Sequence, residues 1–141
     1  MKDKVFLDSN VILYAFGKKG HEKEIAKDLI RKRPLITIQV VNEVINVLLR
    51  KFNFSVDKTK EILNFLKFKT EIRLLNLQTI DSALHIKEKY KYSYWDSLII
   101  ASALENECSI LYTEDLQHEQ VIEGKLKIIN PFEEQGQRRN K

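Results

Sequence analysis

The sequence has few of the residues on which several classes of protein depend. Its 141 residues include one cysteine, four glycines, two prolines and three histidines. The single Cys108 excludes an internal disulfide, and this supply of histidine and cysteine argues against a zinc site. So few glycines leave no glycine-rich phosphate loop or dinucleotide fingerprint. No apolar run approaches the ~18–20 residues of a membrane span, and the first residues lack a signal-peptide pattern. We therefore expect a cytoplasmic protein with no membrane segment.

What the sequence does contain indicates one globular domain. Hydrophobic residues make up 43% of the chain, enough for a sizeable core, and the length suits a single domain. The 24 basic residues exceed the 20 acidic ones, for a net charge of +4. This mild excess is compatible with a nucleic-acid partner but does not establish one. We expect a domain over residues 1–132, followed by a polar, flexible tail over 133–141.

Short apolar runs alternate with segments of helical periodicity. Five runs predict strands, at 5–7, 35–38, 72–77, 109–112 and 126–129. Between them the pattern predicts helices at 21–33, 39–52, 55–68, 79–90 and 96–106. Such alternation is typical of βαβ units. The predicted fold is α/β: a three-layer α/β/α sandwich with a central, mostly parallel five-stranded sheet.

Four acidic residues fall where open parallel sheets place their functional groups, at the carboxyl ends of strands. Asp8 directly follows the first strand, and Asp115 follows the fourth by a few residues. Glu43 lies one turn into the helix after the second strand, and Asp96 opens the last helix. If the first and fourth strands are neighbours, all four carboxylates converge at one end of the sheet.

Each acid also has an ordinary structural explanation. Asp8, Asp96 and Asp115 are suited to capping helices or turns. Glu43 is harder to explain in this way, because it flanks an apolar helix stripe, where an unpaired charge costs several kcal/mol. Compensation from Arg50 or Lys51, one to two turns further on, remains an alternative. The functional interpretation therefore depends on all four acids occurring together.

Clustered carboxylates repel one another, and a bound cation offsets this repulsion. Oxygen ligands without a Cys or His cluster suit Mg²⁺ or Mn²⁺. These ions bind phosphate oxygens and activate water, so the predicted chemistry is metal-assisted hydrolysis of a phosphodiester.

At these positions the sequence resembles the PIN-domain nucleases, in particular the VapC-type ribonuclease toxins of bacterial toxin–antitoxin pairs. The segments that carry the resemblance span most of the chain: FLDSNVILYAF (6–16), TIQVVNEVINVL (37–48), YWDSLIIASALENECSILYTEDLQ (94–117) and LKIINPF (126–132). The resemblance implies a parallel-sheet sandwich and Mg²⁺- or Mn²⁺-dependent endoribonuclease activity. It also implies a homodimer that a partner antitoxin silences.

Carried over residue by residue, the resemblance assigns roles at the site. The acidic positions that bind metal and catalyse in the family match Asp8, Glu43, Asp96 and Asp115. Asn10 and Thr113 match polar positions that would orient these acids.

The sequence departs from the family pattern after the fourth strand. Glu114 stands where Asn is frequent, and Gln117 stands where many members have a further Asp or Asn. We therefore expect one metal site and leave a second in doubt. Lys18, Lys19 and His118 are candidates for contact with RNA, although solvated side chains are the ordinary alternative for such residues.

Three alternatives remain for the function. The first is a PIN-type RNA-processing nuclease that has no antitoxin. The second is a non-catalytic PIN domain that binds RNA or protein. The third, a phosphatase with an Asp nucleophile after the first strand, is disfavoured because Asn10 occupies the position at which such enzymes usually have a second acid.

Overall fold

The computed structural model describes residues 3–133, which form a central sheet flanked by helices. The elements in chain order are β1 (Val5–Leu7), α1 (Ser9–Tyr14), α2 (His21–Arg31), β2 (Leu35–Thr37), α3 (Ile38–Arg50), α4 (Val56–Lys69), β3 (Glu71–Arg73), α5 (Leu77–Tyr90), α6 (Tyr94–Glu105), β4 (Ile110–Tyr112), β5 (Val121–Ile122) and β6 (Leu126–Ile129).

The strand order places β1 in the interior of the sheet. That order is β3-β2-β1-β4-β6-β5, and every pair is parallel except β5 with β6. From β1 the chain moves outward through β2 to β3, then returns to β4 on the opposite side of β1. Right-handed crossovers in opposite directions put their helices on opposite faces of a sheet. The strand order reverses between β1 and β4, which is where open α/β sheets form their binding crevice.

Apolar periodicity in the sequence explains how the helices cover the sheet. On α3 the buried residues Val40, Val44 and Leu48 form one stripe. Helix α6 instead is buried along most of its length, from Ser97 to Ala103, and small residues such as Ala101 let it pack closely. Phe6 and Leu7 of β1 have no exposed surface, so the strand that carries the first acid lies within the core.

The expected α/β/α architecture with a mostly parallel sheet is confirmed, but the sheet has six strands rather than five. The additional strand, β5, is only two residues long and pairs antiparallel with β6, too short for a recognisable pattern. The third strand ends at Arg73 rather than residue 77, because the Asn76 side chain caps α5 and Leu77 already belongs to that helix. Helix α1 was not expected.

Two further expectations concern the ends of the chain and membranes. Most of the predicted tail, from residue 134 onward, lies outside the described residues. Within residues 3–133, no helix has both the length and the apolar character that crossing a bilayer demands.

Candidate active site

Asp8 lies at the carboxyl end of β1 with only 5% of its surface exposed. It is the N-cap of α1, and its Oδ1 accepts a hydrogen bond of 2.7 Å from the backbone N–H of Ser9. Its Oδ2 accepts a second, of 2.9 Å, from the hydroxyl of Thr113 at the end of β4. The capping interpretation of Asp8 is therefore correct. Capping is not the only role of this carboxylate, because its second oxygen, Oδ2, faces the neighbouring strand β4.

The hydroxyl of Thr113 joins three groups of the site. It donates its one hydrogen to Asp8, and it accepts from Asn10 Nδ2 at 3.2 Å and from the backbone N–H of Asp115 at 3.2 Å. A hydroxyl has one donor and two acceptor positions, so Thr113 is fully used. The side chain is completely buried, which holds this junction rigid.

Asn10 holds Asp115 through its side-chain amide. Its second amide hydrogen goes to Asp115 Oδ2 at 2.8 Å, and its Oδ1 accepts from the backbone N–H of Glu114 at 3.4 Å. Because Asn10 occupies the first turn of α1, this amide ties that helix to the loop after β4. The Asp115 carboxylate is exposed, and a hydrogen bond rather than burial holds it.

Asp96 stands in the first turn of α6, a helix that Ser93 caps. The Ser93 hydroxyl accepts from the backbone N–H of Asp96 at 3.1 Å. The carboxylate of Asp96 is therefore not needed as the helix cap. Negative charge is favourable in the first turn of a helix, so this position also stabilises an ionised carboxylate.

Glu43 is half-buried on α3, beside the apolar stripe. The side chain of Ser9 hydrogen bonds to its carboxylate, while its Oε1 is buried without a partner. Arg50 and Lys51 form no ion pair with it within residues 3–133, so the basic compensation considered from the sequence is not found. A buried carboxylate oxygen without a partner is costly unless something binds it.

Mutual repulsion links the four acids, which we call the acid cluster: Asp8, Glu43, Asp96 and Asp115. Burial raises the pKa of Asp8 to about 6, against hydrogen bonds from Ser9 and Thr113, and the charges of Asp115 and Asp96 raise it further. Burial also raises the pKa of Glu43 to about 7, with contributions from Asp8, Asp96 and Asp115. For Asp96, burial and Asp115 raise the pKa, opposed by Ser93.

The chemistry of the acid cluster fits a hard divalent cation. It offers carboxylate oxygens without sulfur, an orphaned oxygen on Glu43, and elevated pKa values that a positive charge would lower. As they stand, no three Asp, Glu, His or Cys side chains of the described chain form a grouping that would hold a metal ion.

The three candidates for RNA contact lie in different surroundings. Lys18 lines a groove that Asn10 also lines, and Lys19, the next residue in the sequence, is exposed. The His118 side chain is 10% exposed, and its Nδ1 accepts from the backbone N–H of Asn130 at 3.0 Å. That bond gives His118 a structural role in the loop before β5. No hydrogen bond within residues 3–133 connects it to the acid cluster.

Three residues of the site escaped the sequence analysis: Ser9, Ser93 and Tyr14. Ser93 had a usable signal, since Ser93-Tyr94-Trp95-Asp96 has the spacing of a capping box before an apolar run. Ser9 had none, because its contact with Glu43 joins segments distant in sequence. The Tyr14 hydroxyl, on α1, donates a hydrogen bond of 3.0 Å to Glu114 Oε2. Glu114, which stands where the family often has Asn, therefore has a partner.

Comparison with known proteins gives one family and several structural relatives. The model of the PIN domain family matches residues 5–123. No curated protein is similar enough in sequence to count as a match.

Solved structures of similar fold include three bacterial examples. A toxin–antitoxin complex from Klebsiella pneumoniae has a TM-score of 0.68 at 18% identity, covering 91% of this chain and 98% of that chain. The sarcin–ricin loop cleaving toxin VapC20 from Mycobacterium tuberculosis has a TM-score of 0.64 at 13% identity, covering 79% and 92%. FitAcB from Neisseria gonorrhoeae has a TM-score of 0.58 at 16% identity, covering 91% and 98%. At such identities the likeness shows a shared fold.

Proposed function

Because the chain belongs to the PIN-domain family, we propose that it is a metal-dependent endoribonuclease and the toxin of a toxin–antitoxin pair. The observation that carries the proposal is the acid cluster at the β1–β4 switch point. Repulsion within the cluster contributes to the raised pKa values of Asp8, Glu43 and Asp96, and no member forms an ion pair with a basic side chain within residues 3–133. A purely structural role does not explain why four carboxylates lie near one another, since like charges destabilise a fold.

In this proposal Asp8, Glu43, Asp96 and Asp115 hold Mg²⁺ or Mn²⁺. When bound, such an ion supplies Lewis acidity to a phosphodiester and lowers the pKa of an attacking water. The chain's other residues position the carboxylates. Thr113 and Asn10 set the orientations of Asp8 and Asp115 through hydrogen bonds of 2.8–3.2 Å.

Two serines complete the positioning of the acid cluster. Ser9 restrains Glu43 through its side chain, and its backbone N–H holds Asp8. Ser93 fixes the first turn of α6 and with it Asp96. Pre-organisation of this kind lowers the cost of bringing charged groups into a reactive arrangement.

The biological setting is also part of the proposal. Among the similar folds, one comes from a toxin–antitoxin complex and another is a ribonucleolytic toxin, which supports an antitoxin partner and an RNA substrate. A cytoplasmic location follows from that substrate and partner. Large apolar side chains exposed around α5 and the start of α6 support contact with another protein surface, as in a homodimer; they are Leu74, Leu77, Leu84 and Trp95.

Cleavage of RNA by the purified protein tests the proposal. We expect hydrolysis with Mg²⁺ or Mn²⁺, no hydrolysis with EDTA, and none from Asp96→Asn. The matched control is Asp57→Asn, which removes an exposed acid from the first turn of another serine-capped helix, α4. This variant should cleave like the wild type. Cleavage that persists both in EDTA and in Asp96→Asn would contradict the proposal.

Expression in a bacterial host separates the toxin from the alternatives. A toxin arrests growth when induced alone, and Asp96→Asn should not. RNA cleavage without growth arrest would indicate an RNA-processing nuclease. RNA binding without metal-dependent cleavage would indicate a non-catalytic domain.

A further inference from the structure

The loop after β4 carries Asp115, and hydrogen bonds rather than burial hold it in place. We call residues 113–120 the acid loop; it connects β4 with β5. Asn10 on α1 donates to the exposed Asp115 carboxylate at 2.8 Å, which ties the first part of the acid loop to that helix. The carboxylate that Asp115 repels, Asp96, lies on a different helix, α6. The distance between these two acids therefore depends on what joins the acid loop to α6.

Tyr92 connects the acid loop with the start of α6. It lies between α5 and α6, one residue before Ser93, the N-cap of α6. Its hydroxyl donates to Oε1 of Gln120 and accepts from the backbone N–H of Gln117. A phenolic hydroxyl can donate and accept at once, so both bonds form together. The acid loop is thus held by α1 near its beginning and by Tyr92 near its end.

The Tyr92 side chain has a defined position beside the acid cluster. Its ring is half-buried and packs against the core. Burial raises the pKa of Tyr92, and the charge of Asp96 raises it further, opposed by the hydrogen bond from Gln117. The ring therefore lies within electrostatic reach of Asp96, and its hydroxyl stays protonated at neutral pH. A protonated hydroxyl keeps the hydrogen that it donates to Gln120.

Two carboxylates that bind one cation have to be close together before the cation arrives. Asp96 and Asp115 repel each other, so an unrestrained acid loop would carry the exposed Asp115 away from α6. Tyr92 opposes this movement because it bonds to the acid loop and is followed directly by Ser93, whose hydroxyl accepts from the backbone N–H of Asp96. Holding ligands in place in this way reduces the cost of assembling a metal site.

We propose that Tyr92 is a positioning residue that keeps Asp115 close to Asp96 and thereby sets the affinity of the acid cluster for Mg²⁺ or Mn²⁺. It acts through the backbone of the acid loop and touches neither the ion nor the RNA. This inference rests on the proposed metal-dependent function. It adds a residue outside the four acids to the determinants of metal affinity.

Binding of Mn²⁺ to the purified protein tests the role of Tyr92 without relying on catalysis. Electron paramagnetic resonance of the free ion gives the dissociation constant for the wild type and for Tyr92→Phe, which keeps the ring and removes the hydroxyl. We expect the affinity to fall about 10-fold, the lower end of the loss that follows removal of a group that orients metal ligands. Gln120→Ala removes the acceptor of the Tyr92 hydroxyl and should also weaken binding.

Tyr90→Phe is the matched control, because it removes another half-buried hydroxyl two residues away in the sequence. The Tyr90 hydroxyl donates to Glu123 Oε2 at 2.8 Å and accepts from the Glu123 backbone N–H at 2.9 Å, beyond the acid loop. Both tyrosine variants thus lose one donated and one accepted hydrogen bond. Tyr90→Phe should keep the wild-type affinity for Mn²⁺, whatever its effect on stability.

The dependence of RNA cleavage on Mn²⁺ concentration separates positioning from general damage to the fold. For Tyr92→Phe, half-maximal cleavage should require about 10-fold more Mn²⁺, and saturating Mn²⁺ should restore kcat. The KM for RNA at saturating Mn²⁺ should stay at the wild-type value, since the hydroxyl does not touch RNA. A structural role alone would lower cleavage at every Mn²⁺ concentration without moving the half-maximal one, and that result would overturn the inference.

The outcomes also distinguish this inference from the proposed function. If the wild type cleaves RNA but Tyr92→Phe and Tyr90→Phe bind Mn²⁺ equally, the inference is overturned and the nuclease stands. If Tyr92→Phe binds Mn²⁺ more weakly than Tyr90→Phe but the wild type does not cleave RNA, the positioning role is upheld and the nuclease is rejected. A wild type that binds no Mn²⁺ overturns both, because the acid cluster then holds no such ion.

Discussion

The hydroxyl of Thr113 donates to Oδ2 of Asp8 across 2.9 Å, joining the carboxyl ends of β4 and β1. The two strands are parallel neighbours, and Leu7 pairs with Tyr112 immediately before this contact. Register in the sheet thus brings together residues that are 105 positions apart. Because the same hydroxyl also accepts from Asn10 and Asp115, one small side chain determines the relative positions of two acids.

Replacing Thr113 by valine should damage the site without changing its volume. We expect RNA cleavage to fall about 10- to 100-fold, the usual effect of losing a group that orients metal-binding side chains. The free energy of unfolding should fall by roughly 1–3 kcal/mol, because donors on Asn10 and Asp115 lose their acceptor. Urea unfolding and initial cleavage rates measure the two effects.

Two variants serve as controls for Thr113→Val. Thr113→Ser keeps the hydroxyl and should retain most of the cleavage. Thr37→Val makes the same substitution at the end of β2, where Oγ1 is buried without a partner. Removing an unpaired hydroxyl relieves a desolvation cost, so this variant should be at least as stable as the wild type. Full cleavage by Thr113→Val would mean that the hydroxyl does not orient the acids.

The caps of α4 and α6 separate stability from activity. Ser55 and Ser93 cap these helices through hydrogen bonds of the same length, 3.1 Å. Replacing either serine by alanine should lower the free energy of unfolding by about 1 kcal/mol. Only Ser93→Ala should also lower the cleavage rate, because its partner is the backbone N–H of Asp96. Equal cleavage by the two variants would show that the cap contributes to stability alone.

Changing Asn10 to Asp should be more harmful than its similar size suggests. The substitution removes two amide donors and places a carboxylate next to Asp115 Oδ2, which now lies 2.8 Å from Asn10 Nδ2. We expect loss of cleavage and, between pH 5 and pH 8, a larger fall in thermal stability than the wild type shows, since protonation relieves the added repulsion. Asn10→Ala removes the donors without adding charge. The exposed control Asn64→Asp should cleave like the wild type and show only the wild type's difference in stability between pH 5 and pH 8.

Stability of the metal-free protein should fall as pH rises from about 4 to 7. The folded state raises the pKa of Asp8 to about 6 and that of Glu43 to about 7, so over this range it binds more protons than the unfolded chain. The stabilisation is complete below the unfolded-state pKa values and is lost above the folded ones. For Asp8 the total is on the order of 3 kcal/mol. Urea midpoints in EDTA across this range measure it.

Glu43→Gln isolates one contribution to that pH dependence. The variant removes the charge that burial and neighbouring acids disfavour, so it should exceed the wild type in stability at pH 8 and lose less stability between pH 4.5 and 7. Adding Mn²⁺ should stabilise the wild type at pH 8 and have little effect on the variant. Glu61→Gln, at an exposed position of α4, should follow the wild type in every condition. If Glu43→Gln loses as much stability as the wild type between pH 4.5 and 7, the raised pKa of Glu43 does not contribute to the pH dependence.

Local patterns in the sequence predicted the architecture because most elements carry their own signal. The apolar spacing of Val40, Val44 and Leu48 predicts α3, and Ser55 at the start of α4 is the cap that the sequence indicates. Once β1 and β4 were assumed to be neighbours, one rule was enough to predict that Asp8 and Asp115 lie close together. The rule is that functional groups gather at the carboxyl ends of parallel strands. Their metal-binding role stays a prediction.

The rest depended on contacts that sequence patterns do not encode. Helix α1 is only six residues long, and its apolar Val11 and Ile12 follow β1 so closely that they show no separate period. The bonds of Asn10 to Thr113 and Asp115 join residues more than 100 positions apart. The groove lined by Lys18, Lys23, Lys51 and Lys58 likewise gathers side chains from four helices and their connections, so the runs of basic residues in the sequence gave no sign that they converge.

The interior position of β1 has a consequence for biosynthesis. The chain is translated through β1 about a hundred residues before β4, the neighbouring strand that leads directly into Thr113. A nascent or prematurely terminated chain lacking β4 leaves β1 with one unpaired edge and Asp8 without its partner. We therefore expect a chain that stops before β4 to lack the arrangement of Asp8 with Thr113 and to leave RNA intact, so the proposed activity should appear only once β4 has been translated.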